Sequence, residues 1–402
     1  MCENCRSDVE HLSIHGTSRR KLMKVGMGLA AGAVAVTGMA GAASAQETSV
    51  ANRTGARTVD GFGVFEAAGP VQRFDIPRRA AGPKDVVIET MYCGLCHSDI
   101  HTIRGEWGPI RAPLAPGHEI VGRVIGVGSD VTRFRVGDMA GVGCMVNSCG
   151  TCENCLQGLE QYCLNGATWT YGSPADVPGG YTQGGWSRGI VVTEDFVIRM
   201  PQSGDHAARA PLLCAGITTF SPLQHWKIEP GMRIGVNGIG GLGHMAVKLA
   251  SAKRADVTMF TSTAEKVSDA GALGAREAVL TSDEAAMRAH ARQYDLLIST
   301  IPQSYPVAPY LSLLGLDGTL VSVGTPLELQ QTMGGSLWGQ RRSIASSLIG
   351  GIPETQEVVD YCASHNISAD IELIRPDQID EAMNRVVGKQ VRYRFVIDLQ
   401  AA

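Results

Sequence analysis

At 402 residues the chain is longer than one ordinary hydrophobic core organises, so two domains are expected. A hydrophobic content of 44% with 18% charged residues is that of a soluble globular protein, and a formal net charge of -4 gives no electrostatic basis for binding nucleic acid or an acidic membrane surface. No collagen period, low-complexity run or repeat array is present, which excludes fibrous and solenoid architectures.

The first segment reads as a targeting signal. Ser18, Arg19, Arg20, Lys21, Leu22, Met23 and Lys24 resemble a twin-arginine export motif, and a glycine-rich apolar run follows from Val25. Ala43-Ser44-Ala45 is a small-residue cleavage pattern, so residues 1–45 are expected to be removed, leaving a mature chain that starts at Gln46. Five glycines from Gly26 to Gly41 make the run too weakly hydrophobic for a good membrane anchor. The expected location is the periplasm or another exported compartment, with a cytoplasmic location as the alternative.

From about Gly55 to Pro201, short β-prone runs alternate with glycine and proline, which predicts a compact β-rich barrel or sandwich. Within it, the stretch from Tyr92 to Glu119 concentrates Cys96, His97, Ser98, Asp99, His101, His118 and Glu119. A thiolate, an imidazole and a carboxylate suit a borderline-soft metal such as zinc. A catalytic zinc takes three protein ligands and keeps one position open; Cys96 and His118 are two candidates, and the third must come from elsewhere. Further on, Cys149, Cys152, Cys155 and Cys163 place four thiols in fifteen residues. That spacing is too tight for comfortable mutual bridging and favours a closed structural zinc over an iron–sulfur cluster or two disulfides. Cys214, in Pro211-Leu212-Leu213-Cys214-Ala215-Gly216, stands just before the next domain, where it either reaches the interdomain cleft or is a buried apolar cysteine.

After Pro201 the pattern changes to strands alternating with helices, which predicts a doubly wound parallel sheet. A strand at Met232–Asn237 runs into Gly238-Ile239-Gly240-Gly241-Leu242-Gly243 and then a helix from His244 to Ala252, the context that a dinucleotide-binding glycine motif requires. Gly238 serves the tight turn, Gly240 the close approach of pyrophosphate and Gly243 the packing of the helix. The second strand ends in Thr261-Ser262-Thr263, with Lys266 after it, where an NAD site would place an acid. Hydroxyls and a cation suit a 2′-phosphate and favour NADP; the alternative puts Lys266 on a solvated helix start. The C-terminal Arg392–Ile397 reads as a strand that returns to the first domain.

In order, CGLCHSD, PGHEIVG, the four-cysteine lobe, YTQGGWS, PLLCAGIT, GIGGLGH and VRYRFVID resemble the zinc-dependent medium-chain alcohol dehydrogenases, in their cinnamyl-alcohol-dehydrogenase-like, NADP-preferring branch. The resemblance runs from about Val59 to Leu399. It implies a GroES-like β-rich catalytic domain (55–204 and 346–402) interrupted by a Rossmann NADP-binding domain (205–345), in an α/β chain holding two zinc ions. It further implies that Cys96, His118 and Cys214 ligate the catalytic zinc, with Glu119 beside it. Ser98 and His101 would be the proton relay and Asp99 the residue that orients the site. His97 and Arg392 fall where the family contacts cofactor phosphates, while Cys93 matches no ligand. Trp107 is a candidate wall of the substrate pocket, core packing being the alternative. A homodimer formed by extension of the Rossmann sheet is also implied.

The implied activity is reversible hydride transfer between NADP(H) and a primary alcohol or aldehyde, aromatic or aliphatic. Two rivals are a quinone or enone reductase on the same scaffold, whose members generally lack the catalytic zinc, and an exported non-catalytic zinc- or nucleotide-binding protein. Arg254 replaces the family's usual glycine before the second strand, and Ser187-Arg188-Gly189 stands where Ser-Asp-His is usual. The export signal is the larger departure, because free NADP is scarce outside the cytoplasm.

Overall fold

A computed structural model describes residues 51–324 and 334–401. The export-like segment, residues 1–45, lies outside the described residues.

β1 (Arg57–Gly63) and β2 (Gln72–Arg78) form an antiparallel pair. β3 (Asp85–Leu95), β4 (Ile120–Val127) and β5 (Met139–Val142) follow as an antiparallel series, rich in valine, isoleucine and methionine that point into the core. β6 (Met145–Asn147) pairs with β7 (Thr168–Trp169), flanking the four-cysteine lobe. β8 (Ile190–Thr193) then pairs with β3, and β9 (Ile198–Arg199) with β5.

The chain next builds a separate sheet from β10 (Arg233–Asn237), β11 (Asp256–Thr261), β12 (Glu277–Leu280), β13 (Tyr294–Ser299), β14 (Leu314–Ser322) and β15 (Ser343–Ser346). All its pairings are parallel, in the order β12-β11-β10-β13-β14-β15. This is the doubly wound arrangement whose order reverses beside its first strand, and ligands bind at the crevice where it reverses. β16 (Ile371–Ile374) and β17 (Arg394–Asp398) close the chain on the first sheet, which runs β16-β17-β3-β4-β5-β9. The C-terminal strand thus returns to the first sheet by pairing with β3, as its sequence pattern predicts.

One continuous core ties the sheets together. Val121, Met139 and Ile198 of the first sheet pack in the same cluster as Val236 and Ile298 of the second, through the helices Ala215–His225 and Gly241–Ala252. The second helix starts directly after β10 because the chain turns at Gly238, whose φ of +85° is the left-handed region. A Cβ on Gly243 would sit 2.0 Å from the Gly238 carbonyl oxygen, so only glycine lets the helix pack this close to the strand. Arg254 also adopts a left-handed φ, +64°, at the position where the family resemblance expects glycine. No helix among the described residues is long and apolar enough to cross a membrane.

Candidate active site

A cavity of about 620 Å³ runs between the two sheets. One end is walled by Cys96, His118 and Cys214, the other by the glycine turn and the end of β11.

At the first end, the loop after β3 delivers Cys96 to the start of the helix His97–Ile103. Asp99, fully buried in that helix, accepts hydrogen bonds from the backbone N–H groups of Cys96 (2.8 Å) and Gly117 (3.1 Å). It also receives Nδ1 of His118 at 3.1 Å. That bond assigns the proton to Nδ1 and leaves the Nε2 lone pair for a metal. Cys214, placed ahead of the helix Ala215–His225, brings its Sγ to 3.9 Å from that of Cys96. Two thiolates on one tetrahedral zinc with bonds of about 2.3 Å stand about 3.8 Å apart. Cys96, His118, Glu119 and Cys214 are all buried, with ligand atoms within 4.8 Å of one another, and the donor set fits zinc.

Electrostatics favours the ligating form of Cys96. A hydrogen bond from Cys214 and the nearby Arg394 and His118 hold its thiol well below the usual range in spite of burial. Against its own burial, His118 is pushed well up by Asp99. Glu119, on the other hand, is committed elsewhere. Its carboxylate receives Arg394 Nη2 on Oε1 and Nε on Oε2, the latter at 3.2 Å, and both side chains are almost wholly enclosed. Cys93 is buried and its thiol is pushed well up by desolvation, in keeping with its exclusion from the ligand set.

Cys149, Cys152, Cys155 and Cys163 also converge, with ligand atoms within 4.8 Å of one another and Cys149 and Cys155 Sγ 3.9 Å apart. Backbone N–H groups of Cys152, Cys149 and Leu164 donate to the sulfurs at 3.4 to 3.5 Å. Hydrogen bonds from the backbone near Thr151 and Cys152 lower the Cys149 thiol to about 5. All described cysteines are free thiols, so the disulfide alternative does not hold. Four thiolates with no open position fit a closed structural zinc.

At the other end, Gly238, Gly240, Gly241 and Leu242 line the cavity beside the N-terminus of the helix Gly241–Ala252. A Cβ on Gly240 would meet no protein atom within 4 Å, so the protein's own packing does not require glycine there. The open space beside helix N–H groups is what a pyrophosphate occupies. Thr261, Ser262 and Thr263 line the same end. Lys266 joins them, only 4% exposed, with Nζ donating to the Ile239 carbonyl at 2.9 Å. The solvated placement is therefore wrong: burial, and then the charge of Arg392, lowers this ammonium's pKa.

Family models match the chain twice, as alcohol dehydrogenase GroES-like domain over residues 82–202 and as zinc-binding dehydrogenase over 241–364. NADP-dependent alcohol dehydrogenase C 1 of Mycolicibacterium smegmatis is 48% identical over 342 residues, covering 85% of this chain and 98% of that relative. The chain belongs to the zinc-dependent medium-chain alcohol dehydrogenases. Aldehyde reductase YahK of Escherichia coli is 49% identical with the same coverage. Among solved structures, a cinnamyl alcohol dehydrogenase of Sorghum bicolor superposes with a TM-score of 0.83 at 39% identity, over 86% of this chain and 99% of that one. The cinnamyl alcohol dehydrogenase of Helicobacter pylori, complexed with NADP(H), gives 0.82 at 38% identity with the same coverage.

In this dehydrogenase, Ser98 lines the cavity and its Oγ lies 3.6 Å from Cys96 Sγ. His101 sits behind it, Nδ1 paired with the Glu106 carboxylate and Nε2 buried with no partner among the described residues. His97 lines the cavity, and burial lowers it to about 4, so the ring is neutral near neutral pH. Trp107 is 42% exposed, lines the cavity and stacks on His101 with ring centroids 5.1 Å apart, which rules out simple core packing. Arg392 is absent from the cavity lining and pairs with Asp269. The guanidinium in the wall is that of Arg394, two residues on.

Sequence reasoning missed Arg394, Glu106 and Tyr171, whose ring lies 5.7 Å from that of His118. Glu106, five residues after His101 in the turn that ends its helix, had the only local signal. His244 was also unassigned. Its Nδ1 faces the Gly240 carbonyl at 3.2 Å while Nε2 accepts from the Asp370 N–H at 3.3 Å, so it braces the glycine turn against the C-terminal segment as a neutral ring.

Proposed function

We propose that this protein is an NADP(H)-dependent alcohol dehydrogenase and aldehyde reductase, interconverting a primary alcohol and its aldehyde. The observation that carries the reading is the convergence of Cys96, His118 and Cys214 in one wall of the cavity onto which the glycine turn opens. NADP dependence is named for the mycolicibacterial relative, and NADP(H) is bound in the Helicobacter structure; both support that cofactor here. The division into a catalytic domain (55–204 and 346–402) and a nucleotide domain (205–345) puts the chemistry in the cleft between them.

Cys96, His118 and Cys214 would hold the catalytic zinc, and the four-cysteine lobe the structural one. When bound, zinc supplies Lewis acidity to the substrate oxygen, and NADP(H) supplies the hydride couple. Asp99 fixes the His118 tautomer and ties the Cys96 and Gly117 backbones together, so the ligands are set before substrate arrives. Arg394 balances Glu119 and favours the Cys96 thiolate. Ser98 Oγ and the imidazole of His101 move the proton, and Glu106, 41% exposed at its side chain, orients that imidazole at the edge of solvent. Trp107, Tyr171, Leu348 and Ile349 give the cavity an aromatic and aliphatic lining, which suits cinnamyl-type and aliphatic aldehydes. The glycine motif contacts would be Gly238, Gly240, Gly241, Leu242 and Gly243, with Thr261, Ser262, Thr263 and Lys266 at the adenosine 2′-phosphate.

Export through the twin-arginine pathway rests on Arg19, Arg20 and Ala43-Ser44-Ala45, and the folded protein would carry its metal with it. A homodimer would form by extension of the parallel sheet beyond its edge strand β15, near the exposed Trp338. Cys96→Ser tests the metal assignment: zinc content should fall from two to one per chain and turnover should vanish, with the four-cysteine lobe intact. Full activity with two zinc ions retained would overturn it.

A further inference from the structure

Lys389 lies in the connection between the helix Ile379–Val387 and β17 and lines the cavity. Three observations single it out. Its Nζ reaches 3.4 Å from Ser262 Oγ, although 127 residues separate the two in sequence. Its backbone sits at φ +60°, a left-handed conformation that costs a side-chain-bearing residue and that glycine adopts freely. Gly388 precedes it, so the chain has a glycine at hand and still places a lysine at the strained position.

The surroundings show what the strain serves. Lys266 occupies the same end of the cavity, its Nζ bonded to a carbonyl and the charge of Lys389 acting on it. The third cation nearby, Arg392, is already paired with Asp269. Two lysines therefore flank the hydroxyl-bearing turn Thr261–Thr263, and among the described residues no carboxylate forms an ion pair with either. A cluster of like charge with hydroxyls between its members is built for an anion of more than one charge. Strained conformations held at a cavity wall are where ligand contacts concentrate.

We propose that Lys389 is a specificity-determining residue for the cofactor, its ammonium closing on the 2′-phosphate of NADP(H) opposite Lys266, with Ser262 between them. This rests on the NADP(H) reading above and adds to it. The phosphate is then gripped from both sheets at once: Ser262 and Lys266 from the nucleotide-binding side, Lys389 from the segment leading to β17. NADH, which carries a hydroxyl at that position, gains nothing from Lys389.

The test compares steady-state KM and kcat for NADPH and NADH, with one aldehyde at saturation, in the wild type, Lys389→Gly and Lys389→Arg. Glycine removes the ammonium and suits the left-handed backbone, so the variant should fold with an unchanged or raised melting temperature. KM for NADPH should rise about tenfold, the loss of one charge-assisted contact at an exposed site, with kcat and the NADH parameters within twofold. Arginine should recover most of the loss. Titration with 2′,5′-ADP should show the same weakening without turnover. If the wild type prefers NADPH and Lys389→Gly leaves its KM within twofold, the proposal is overturned while the NADP(H) reading stands. If the wild type shows no preference for NADPH, that reading fails and this proposal fails with it.

Discussion

Replacing Arg394 by methionine removes the counter-charge of a carboxylate that has no access to water. Side-chain exposure is 3% for Arg394 and 0% for Glu119, so solvent cannot screen the charge that remains. Taking one partner from a buried pair costs about 3–5 kcal/mol, chiefly the desolvation of the ion left behind. The Cys96 thiolate nearby, which Arg394 also favours, adds in the same direction. At roughly 2 °C or slightly more per kcal/mol for domains of 150–250 residues, the melting temperature of the zinc-loaded protein should fall by about 6–10 °C. The double variant Glu119→Gln/Arg394→Met should recover half or more of that loss, because glutamine leaves no charge to strand. Differential scanning calorimetry on the wild type, both single variants and the double variant completes the cycle. A fall under about 2 °C in Arg394→Met, or strict additivity in the cycle, would refute the claim that a buried ion pair links β17 to the metal-site loop.

Three further outcomes follow from the same geometry. Lys266→Ala should lower the preference for NADPH over NADH; an unchanged preference would remove Lys266 from the 2′-phosphate site. Gly243→Ala should abolish cofactor binding measured by NADPH fluorescence, since its Cβ would press on the Gly238 carbonyl, and wild-type affinity would show that the helix start can shift. His244 concerns pH. Burial, and then Lys248, holds its folded pKa at about 3, against about 6.5 when unfolded. Between those values the unfolded chain binds the extra proton, so stability drops as pH falls below about 6.5, by about 1.4 kcal/mol per unit at most. The fall in melting temperature from pH 7 to pH 5 should be shallower in His244→Gln; identical slopes would show that the ring titrates freely.

Much of this architecture was legible because its signals are local. The strand before Gly238, the glycine spacing and the following helix are contiguous, and β10 with its helix Gly241–Ala252 sits where that pattern put it. The same holds for the four cysteines, whose spacing alone brings their sulfurs together. Cys214 was ambiguous from spacing because its approach to Cys96 depends on packing across 118 residues. The places of Arg392 and Arg394 were not legible for a different reason. Strand alternation gives two residues of the same parity the same face, so sequence does not separate them. Depth does: β17 begins at Arg394, which enters the core, while Arg392 precedes the strand and pairs with Asp269 near the surface. Lys266 was read as a cation for phosphate, but its burial was not foreseeable, since lysine is seldom enclosed without a reason that tertiary structure supplies. Lys389 and His244 depend wholly on contacts between distant segments, to Ser262 and to Asp370.

Hydride transfer between NADP(H) and an alcohol or aldehyde at a zinc-bearing cleft is open to direct assay. The direct measurement is the initial rate of cofactor oxidation by the zinc-replete protein, offered NADPH or NADH with cinnamaldehyde and with benzaldehyde. NADPH should be oxidised rapidly and matched mole for mole by alcohol formed, NADH should be used more slowly, and turnover should cease once the catalytic zinc is removed. Folded protein holding two zinc ions per chain that oxidises neither cofactor with either aldehyde would contradict it, and would return the exported binding protein as the better reading.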